Sequence, residues 1–434
     1  MIISMLSRVI RSKLPNLFKE FEQLPDVRKR REYSAKDLLV SVLLMFLFRQ
    51  GSRNSADNTA KNLTFVENIE HVFGTKTADL DTADRFLRKL PEEELENIKH
   101  AVIERLIRDK MFARSRFLNK YYHVAVDGSG MQTFDYEPYP GCPYKEYKNG
   151  IKIWTAYVLE AKLLTPSGLS VSLATEWIEN PKDENFDKQD CELKAFKRLS
   201  KRLKTRFPRL PIVLLLDGLY PKKPVFDICK ANGWKFIITL KNKSLKTVQE
   251  QISDMKLFGK TQKLSRACRK NTVWTTDEFE LMQNIEYQGD KFNVIQNVET
   301  VTNTENDDKV STNFVVITNV ATNLDRTMAV SDAGRLRWKI ENEGFNDQKT
   351  NYDIEHKYSR TSATAAKNYY QIMQIAHIIN QLTYELRQMK TLIRVRGYTV
   401  KALIKHILGM LQHADFSDKI LLNSILDTKT QLRY

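Results

Sequence analysis

The sequence predicts an α/β protein: a mixed β-sheet flanked by helices, with a helical N-terminal domain, a β-rich insertion and a helical C-terminal part. Three observations carry this prediction. Residues 1 to about 115 place apolar side chains at helical spacing. From about Tyr121, short β-prone runs alternate with helical stretches, the pattern of a sheet covered by helices. Between about 245 and 320 the chain is polar and strand-rich, and helical texture returns near Met328.

Composition fits a folded chain of several units. The 434 residues are 42% hydrophobic and 10% aromatic, which excludes wholesale disorder. That length predicts more than one structural unit. We divide it into 1–115, 116–244, 245–325, 326–365 and 366–434 on changes of texture. Lys and Arg total 69 against 53 Asp and Glu, a net charge of +16 that favours a polyanionic partner, nucleic acid first. Cys142, Cys191, Cys229 and Cys268 are widely spaced with no CxxC pair, which argues against a paired-ligand zinc site and a disulfide scaffold. The strongest apolar run, Leu38 to Phe48, is about half a bilayer span, so no membrane partner is expected. The N-terminus reads as an amphipathic helix without a signal-peptide cleavage pattern. A reducing cytoplasm, at the nucleoid, is the expected location.

The elements follow in order. Ser34 with Asp37 three residues on predicts an N-cap opening the apolar helix that ends near Gln50-Gly51. Further helical segments follow Asp81-Thr82 and span roughly 91–112. The cluster Arg28-Lys29-Arg30-Arg31 is a candidate DNA-backbone contact, or equally a solvated charge run before a helix. Tyr122 to Val126 reads as a strand ending in Asp127-Gly128. Ile151 to Leu164 and Leu169 to Glu176 read as two more, joined by the turn Thr165-Pro-Ser-Gly168. A lysine- and arginine-studded helix over 189–206 precedes the apolar strand Ile212 to Leu216, which ends in Asp217-Gly218. A helix over 223–232 and a strand over 235–240 complete this part. Short strands are expected at 293–295, 298–301 and 313–317. A helix covers 369–379, and two short helices are expected after it.

Two aspartates stand out because each directly follows an apolar strand and precedes a glycine. Cleaving a phosphodiester without a covalent enzyme intermediate is well served by two divalent metals about 4 Å apart. Hard cations need carboxylates, and a strand end in a rigid sheet holds them well. An Asp-Gly after a strand is also a common turn. The segment from Gly334 to Lys349, GRLRWKIENEGFNDQK, makes the metal reading persuasive. On a helix Arg337 and Glu341 share a face, and Lys349 lies a little over two turns on. Trp338, Ile340 and Phe345 are expected to dock that helix on the core.

Asp127, Asp217 and the RWKIE run resemble the three catalytic blocks of DDE transposases with an RNase H-like core, most of all the insertion-sequence transposases of the IS-four type. The spacings agree: 217 − 127 = 90 and 341 − 217 = 124, the latter long enough for an insertion. The resemblance covers the plan of most of the chain. It implies a DNA transposase that cleaves at transposon ends and transfers strands to target DNA. It implies Asp127, Asp217 and Glu341 binding two Mg2+ (or Mn2+) per active site, with Arg337 and Lys349 on DNA phosphate. Double-stranded DNA, both terminal inverted repeats and target, is the implied partner, with a homodimer in the DNA complex. Two departures matter. The subgroup's tyrosine position holds Gly334, and Lys349 comes one residue late. The shift predicts a one-residue insertion in the helix at Asn342 to Gly344 and leaves Glu343 as a rival to Glu341. A nuclease without strand transfer and a DNA-binding protein without catalysis are the competing readings.

Overall fold

The computed structural model describes residues 2–181, 189–306, 308–427 and 432. The chain opens with helices α1 (Ile2–Lys13), α2 (Leu17–Glu22), α3 (Ala35–Leu47), α4 (Arg53–Thr59), α5 (Leu63–Phe73), α6 (Leu80–Leu87) and α7 (Glu92–Arg108). Ser34 and Asp37 form the expected cap. The Ser34 hydroxyl accepts from the Asp37 amide at 3.1 Å, and the Asp37 carboxylate accepts from the Ser34 amide at 2.9 Å. Every residue of α3 but Lys36 is buried, because other helices surround it. The short helices α4 and α5 escape a periodicity reading, since two or three turns give a weak signal.

The middle of the chain forms β1 (Tyr122–Phe134), β2 (Tyr144–Glu146), β3 (Lys152–Leu164), β4 (Ser170–Ile178), α8 (Glu192–Arg206), β5 (Ile212–Leu216), α9 (Lys223–Asn232) and β6 (Lys235–Thr239). β3 lies antiparallel between β1 and β4, with the short β2 along its other end. On the other side β1, β5 and β6 run parallel. This order, β4-β3-β1-β5-β6, is the expected RNase H-like sheet. β5 is buried along its whole length, as a central parallel strand must be. One expectation fails here. β1 does not turn at Asp127-Gly128 but runs on to Phe134, because β3 continues to pair with it after β5 has ended.

The next stretch holds α10 (Lys246–Leu257) and four long strands, β7 (Gln262–Lys270), β8 (Val273–Tyr287), β9 (Asp290–Asn303) and β10 (Lys309–Thr318). They form an antiparallel meander. β10 also pairs with β6, so the meander extends the core sheet to ten strands. The two short strands expected at 293–295 and 298–301 are one strand, β9. Its polar interruption does not break it, because the buried Asn297 side chain donates to Asp277 at 2.9 Å. Arg266 ties the same Asp277 to Asp332.

The chain closes with α11 (Leu324–Arg335), a π-helical turn (Ile340–Asn346), α12 (Asp347–Tyr352), α13 (Ala363–Glu385), α14 (Arg387–Arg394), α15 (Val400–His413) and α16 (Lys419–Leu426). Among the described residues three helices, not two, thus follow α13. A π turn is what one extra residue makes of an α-helix, and it covers the predicted insertion point. α13 is wedged between β4 and the helices α1, α3, α6 and α7. Its polar residues are partnered: the Asn368 amide donates to Leu87 O and Leu90 O. α15 and α16 return to pack on α1 and α5. The Asn68 amide holds the end of α15, donating to Leu411 O at 2.9 Å and Ala414 O at 2.7 Å. Among the described residues no helix is long and apolar enough to cross a membrane.

Buried histidines make the fold acid-sensitive. Burial pushes His100 on α7 down to about 2 and His123 on β1 down to about 4. Unfolded histidines take up protons near pH 6.5, so below that the unfolded chain binds more protons and stability falls with pH. Between pH 7 and pH 5 these histidines draw the urea midpoint down, and His100→Leu is expected to lessen that drop relative to the unsubstituted chain. An unchanged drop in the variant refutes the assignment.

Candidate active site

Asp127 lies on β1, and Asp217 directly follows the neighbouring parallel strand β5. The β1–β5 register pairs Val124 with Leu214 and Ala125 with Leu215. Carried two residues further, it sets Asp127 beside Asp217. The Asp127 carboxylate accepts from the Gly128 amide at 3.0 Å, and that of Asp217 from the Leu219 amide at 2.8 Å. The second contact is the turn expected of an Asp-Gly. The Lys241 ammonium stands 4.0 Å from Asp217, its stem lying against Gly218.

Arg337 joins the third acid to this pair. Its guanidinium donates to the Glu341 carboxylate at 2.8 Å and lies 3.7 Å from that of Asp127. The arginine side chain is only 12% exposed, which strengthens both attractions. Arg337 sits in the turn between α11 and the π turn, not on a continuous helix, yet the four-residue spacing to Glu341 is kept. Glu343 faces elsewhere. It pairs with Lys339 at 2.8 Å and borders the β3–β4 turn at Gly168.

A fourth carboxylate, Glu192, belongs to the same neighbourhood. It lies in the first turn of α8 and accepts from the Tyr220 hydroxyl at 2.6 Å. A Cβ at Gly128 would meet it at 3.5 Å. No motif in the sequence points to Glu192. The one available signal is Tyr220, three residues after Asp217 and fully buried.

Electrostatics make the cluster uneasy without a cation. Burial pushes the Asp127 carboxyl up to about 7; Arg337 opposes this, while Glu341 and Glu192 add to it. Burial also raises Glu192, against the Tyr220 hydrogen bond, and the Asp217 charge adds to the rise. Among the described residues no three Asp, Glu, His or Cys side chains converge closely enough to hold a metal ion as they stand. Arg337 occupies the gap between Asp127 and Glu341. The donor set nevertheless fits a hard divalent ion: all are carboxylate oxygens, partly desolvated, with more negative charge than Arg337 and Lys241 offset.

Beside Asp217 a cleft of about 670 Å³ runs between Lys241, Phe314, Arg335 and Trp338. Trp338 does not dock in the core as expected. It is 40% exposed and packs edge-on against Phe314, while Ile340 and Phe345 are buried as expected. Trp338 follows the Leu336-Arg337 turn after α11 and packs on Phe314 at the cleft instead of in the core.

The remaining candidates lie apart from this cluster. Lys349 on α12 pairs with Glu355 at 3.1 Å. Arg28 is held by Asp26 at 2.7 Å and by Tyr33 O, and Arg31 also reaches Asp26, whereas Lys29 and Arg30 point to solvent. On α8, Arg198 pairs with Glu176 and Asp190, and Arg202 with Glu96 and Glu176. Between β1 and β3, Tyr136 and Tyr147 are exposed, while Tyr144 on β2 packs on Trp154. His123 packs on Phe117, a structural role.

Residues 118–381 match a family model described as a transposase DDE domain. No curated protein matches the chain.

Proposed function

The chain belongs to the transposase DDE-domain family, and on that premise we propose that it cleaves DNA at the ends of a mobile element and joins the freed strands to target DNA. The observation that carries this reading is Asp127 on β1 and Asp217 directly after the adjacent parallel strand β5, with Arg337 linking Asp127 to Glu341. Transposases of this family act on DNA and generally use divalent metal ions. We assign two Mg2+ (or Mn2+) to Asp127, Asp217 and Glu341. Ions bound there would make water, and later a 3′-hydroxyl, a better nucleophile and stabilise the leaving oxygen.

The chain's own residues prepare the site. The sheet fixes the two aspartates, and the π turn presents Glu341 while turning Glu343 away. Arg337 neutralises the facing carboxylates in their metal-free state. Its fork of donors, with Lys241, suits the non-bridging oxygens of a phosphate. The cleft of about 670 Å³ is lined by Lys241, Lys243 and Arg337, cations that suit a DNA backbone. Lys349, Lys29 and Arg30 remain proposed outer phosphate contacts. A homodimer on DNA would supply one site for each element end.

The test is Mg2+-dependent cleavage of a DNA fragment carrying the element ends, followed by joining to a plasmid. Cut ends and joined products are expected. Cutting without joining would make the chain a nuclease, and binding without metal-stimulated cutting would leave it a DNA-binding protein.

A further inference from the structure

The chain carries several basic clusters, and the fold treats them differently. Half of the 28–31 cluster is neutralised by Asp26, and the strongest cations of α8 are tied to acids. A third cluster lies where α14 meets α15. From Leu386 to Ala414 there is no Asp or Glu, yet Arg387, Lys390, Arg394, Arg396, Lys401 and Lys405 all fall there. Lys390 pairs with Glu385 at 2.7 Å. The other five are exposed, and among the described residues none forms an ion pair.

The turn that carries them is ordered by its own hydrogen bonds. The Val395 and Arg396 amides donate to Thr391 O at 2.9 and 3.4 Å, and that of Tyr398 to Leu392 O at 3.3 Å. The Thr399 hydroxyl caps α15 by accepting from the Ala402 amide at 3.1 Å. Lys401 and Lys405 are one turn apart and share the outer face of α15. The inner face buries Leu403, Ile404, Ile407 and Leu411 against the helical layer. The positive charges are therefore held in place on a docked helix.

We propose that the α14–α15 turn is a second DNA-binding surface, which grips the phosphate backbone of duplex DNA without reading its sequence. The choice of DNA as the polyanion rests on the transposase reading. Charge complementarity supports it: five unpaired cations along α14, the ordered turn and α15 suit a line of phosphates. A membrane surface is a poorer match, because it would need a continuous apolar stripe. Here the exposed apolar residues of the turn are Val395 and Tyr398, at 78% and 46% exposure.

The test is binding of a random-sequence duplex lacking element ends, monitored by fluorescence anisotropy in EDTA over a range of salt. Replacing Arg394, Arg396, Lys401 and Lys405 together by Gln is expected to weaken binding at least about tenfold. The slope of log affinity against log salt should flatten by about 3 to 4, four contacts at roughly 0.9 each. Affinity within twofold and an unchanged slope overturn the proposal. In the unsubstituted chain, duplex DNA should protect Lys401 and Lys405 from acetylation, read by mass spectrometry; equal labelling with and without DNA overturns it whatever the variant's folding. Binding to phosphatidylglycerol vesicles that the variant loses, with duplex binding unchanged, would assign the turn to membranes instead. No arm depends on cleavage, so a failed cleavage assay and a failed surface are told apart.

Discussion

Replacing Asp127 by Asn is expected to lower metal-dependent DNA cleavage by at least about a thousandfold, roughly 4 kcal/mol of barrier. The substitution keeps the shape and removes the charge that a divalent ion needs. Asp217→Asn should do the same, since Asp217 directly follows β5, the parallel neighbour of the strand that holds Asp127. Stability is expected to move the other way. Burial already pushes the Asp127 carboxyl up to about 7, so its ionised form burdens the metal-free fold. An asparagine side chain carries no such charge, and thermal melting of the Asp127→Asn variant in EDTA at pH 8 should be no lower than wild type. The sign follows from linkage. A carboxyl whose folded value is raised costs stability as pH rises through the range between its unfolded and folded values. Loss of activity together with a collapsed melting temperature would mean that Asp127 is structural. Cleavage retained at half the wild-type rate or more would remove it from the site.

The second large effect separates the two glutamates of the π turn. Glu341→Gln is expected to abolish cleavage to a similar degree, about a thousandfold. Glu343→Gln should stay within about fivefold, since its partner is Lys339 and its neighbour is the β3–β4 turn. The contrast is measured on one DNA substrate at one Mg2+ concentration, with Mn2+ binding followed by calorimetry. A reversed order, with Glu343→Gln inactive and Glu341→Gln near wild type, would move the third carboxylate across the π turn. Arg337 sharpens the expectation: it is the cation that bridges Asp127 and Glu341, whereas Glu343 takes Lys339 as its partner.

Much of the fold was legible because its signals are local. The apolar run Ile212 to Leu216 with a glycine-bearing turn behind it is a buried strand in almost any context, and it is β5. Ser34 and Asp37 cap α3 through contacts three residues apart. The late lysine after Glu341 pointed to an extra residue, and the chain absorbs it in a π turn at that place. Other signals misled because a distant partner decided them. Asp127-Gly128 has the chemistry of a turn but stays in β1, held by β3 more than twenty residues later in the chain. Asn297 looks like a strand break until Asp277 satisfies it. Trp338 looks like a core anchor until Phe314 of β10 takes it at the cleft beside Asp217.

The site divides in the same way. Residue identity and strand patterning alone determined that two aspartates end or interrupt apolar strands and that an arginine precedes a glutamate by four, because those properties depend on neighbours within a few bonds. Only the tertiary structure decided that Glu192 and Tyr220 stand among these acids, that Glu341 rather than Glu343 shares Arg337 with Asp127, and which basic clusters keep their charge unpaired. Those outcomes depend on through-space charge, burial and sheet register, which bring together residues far apart in the chain and which no local pattern encodes.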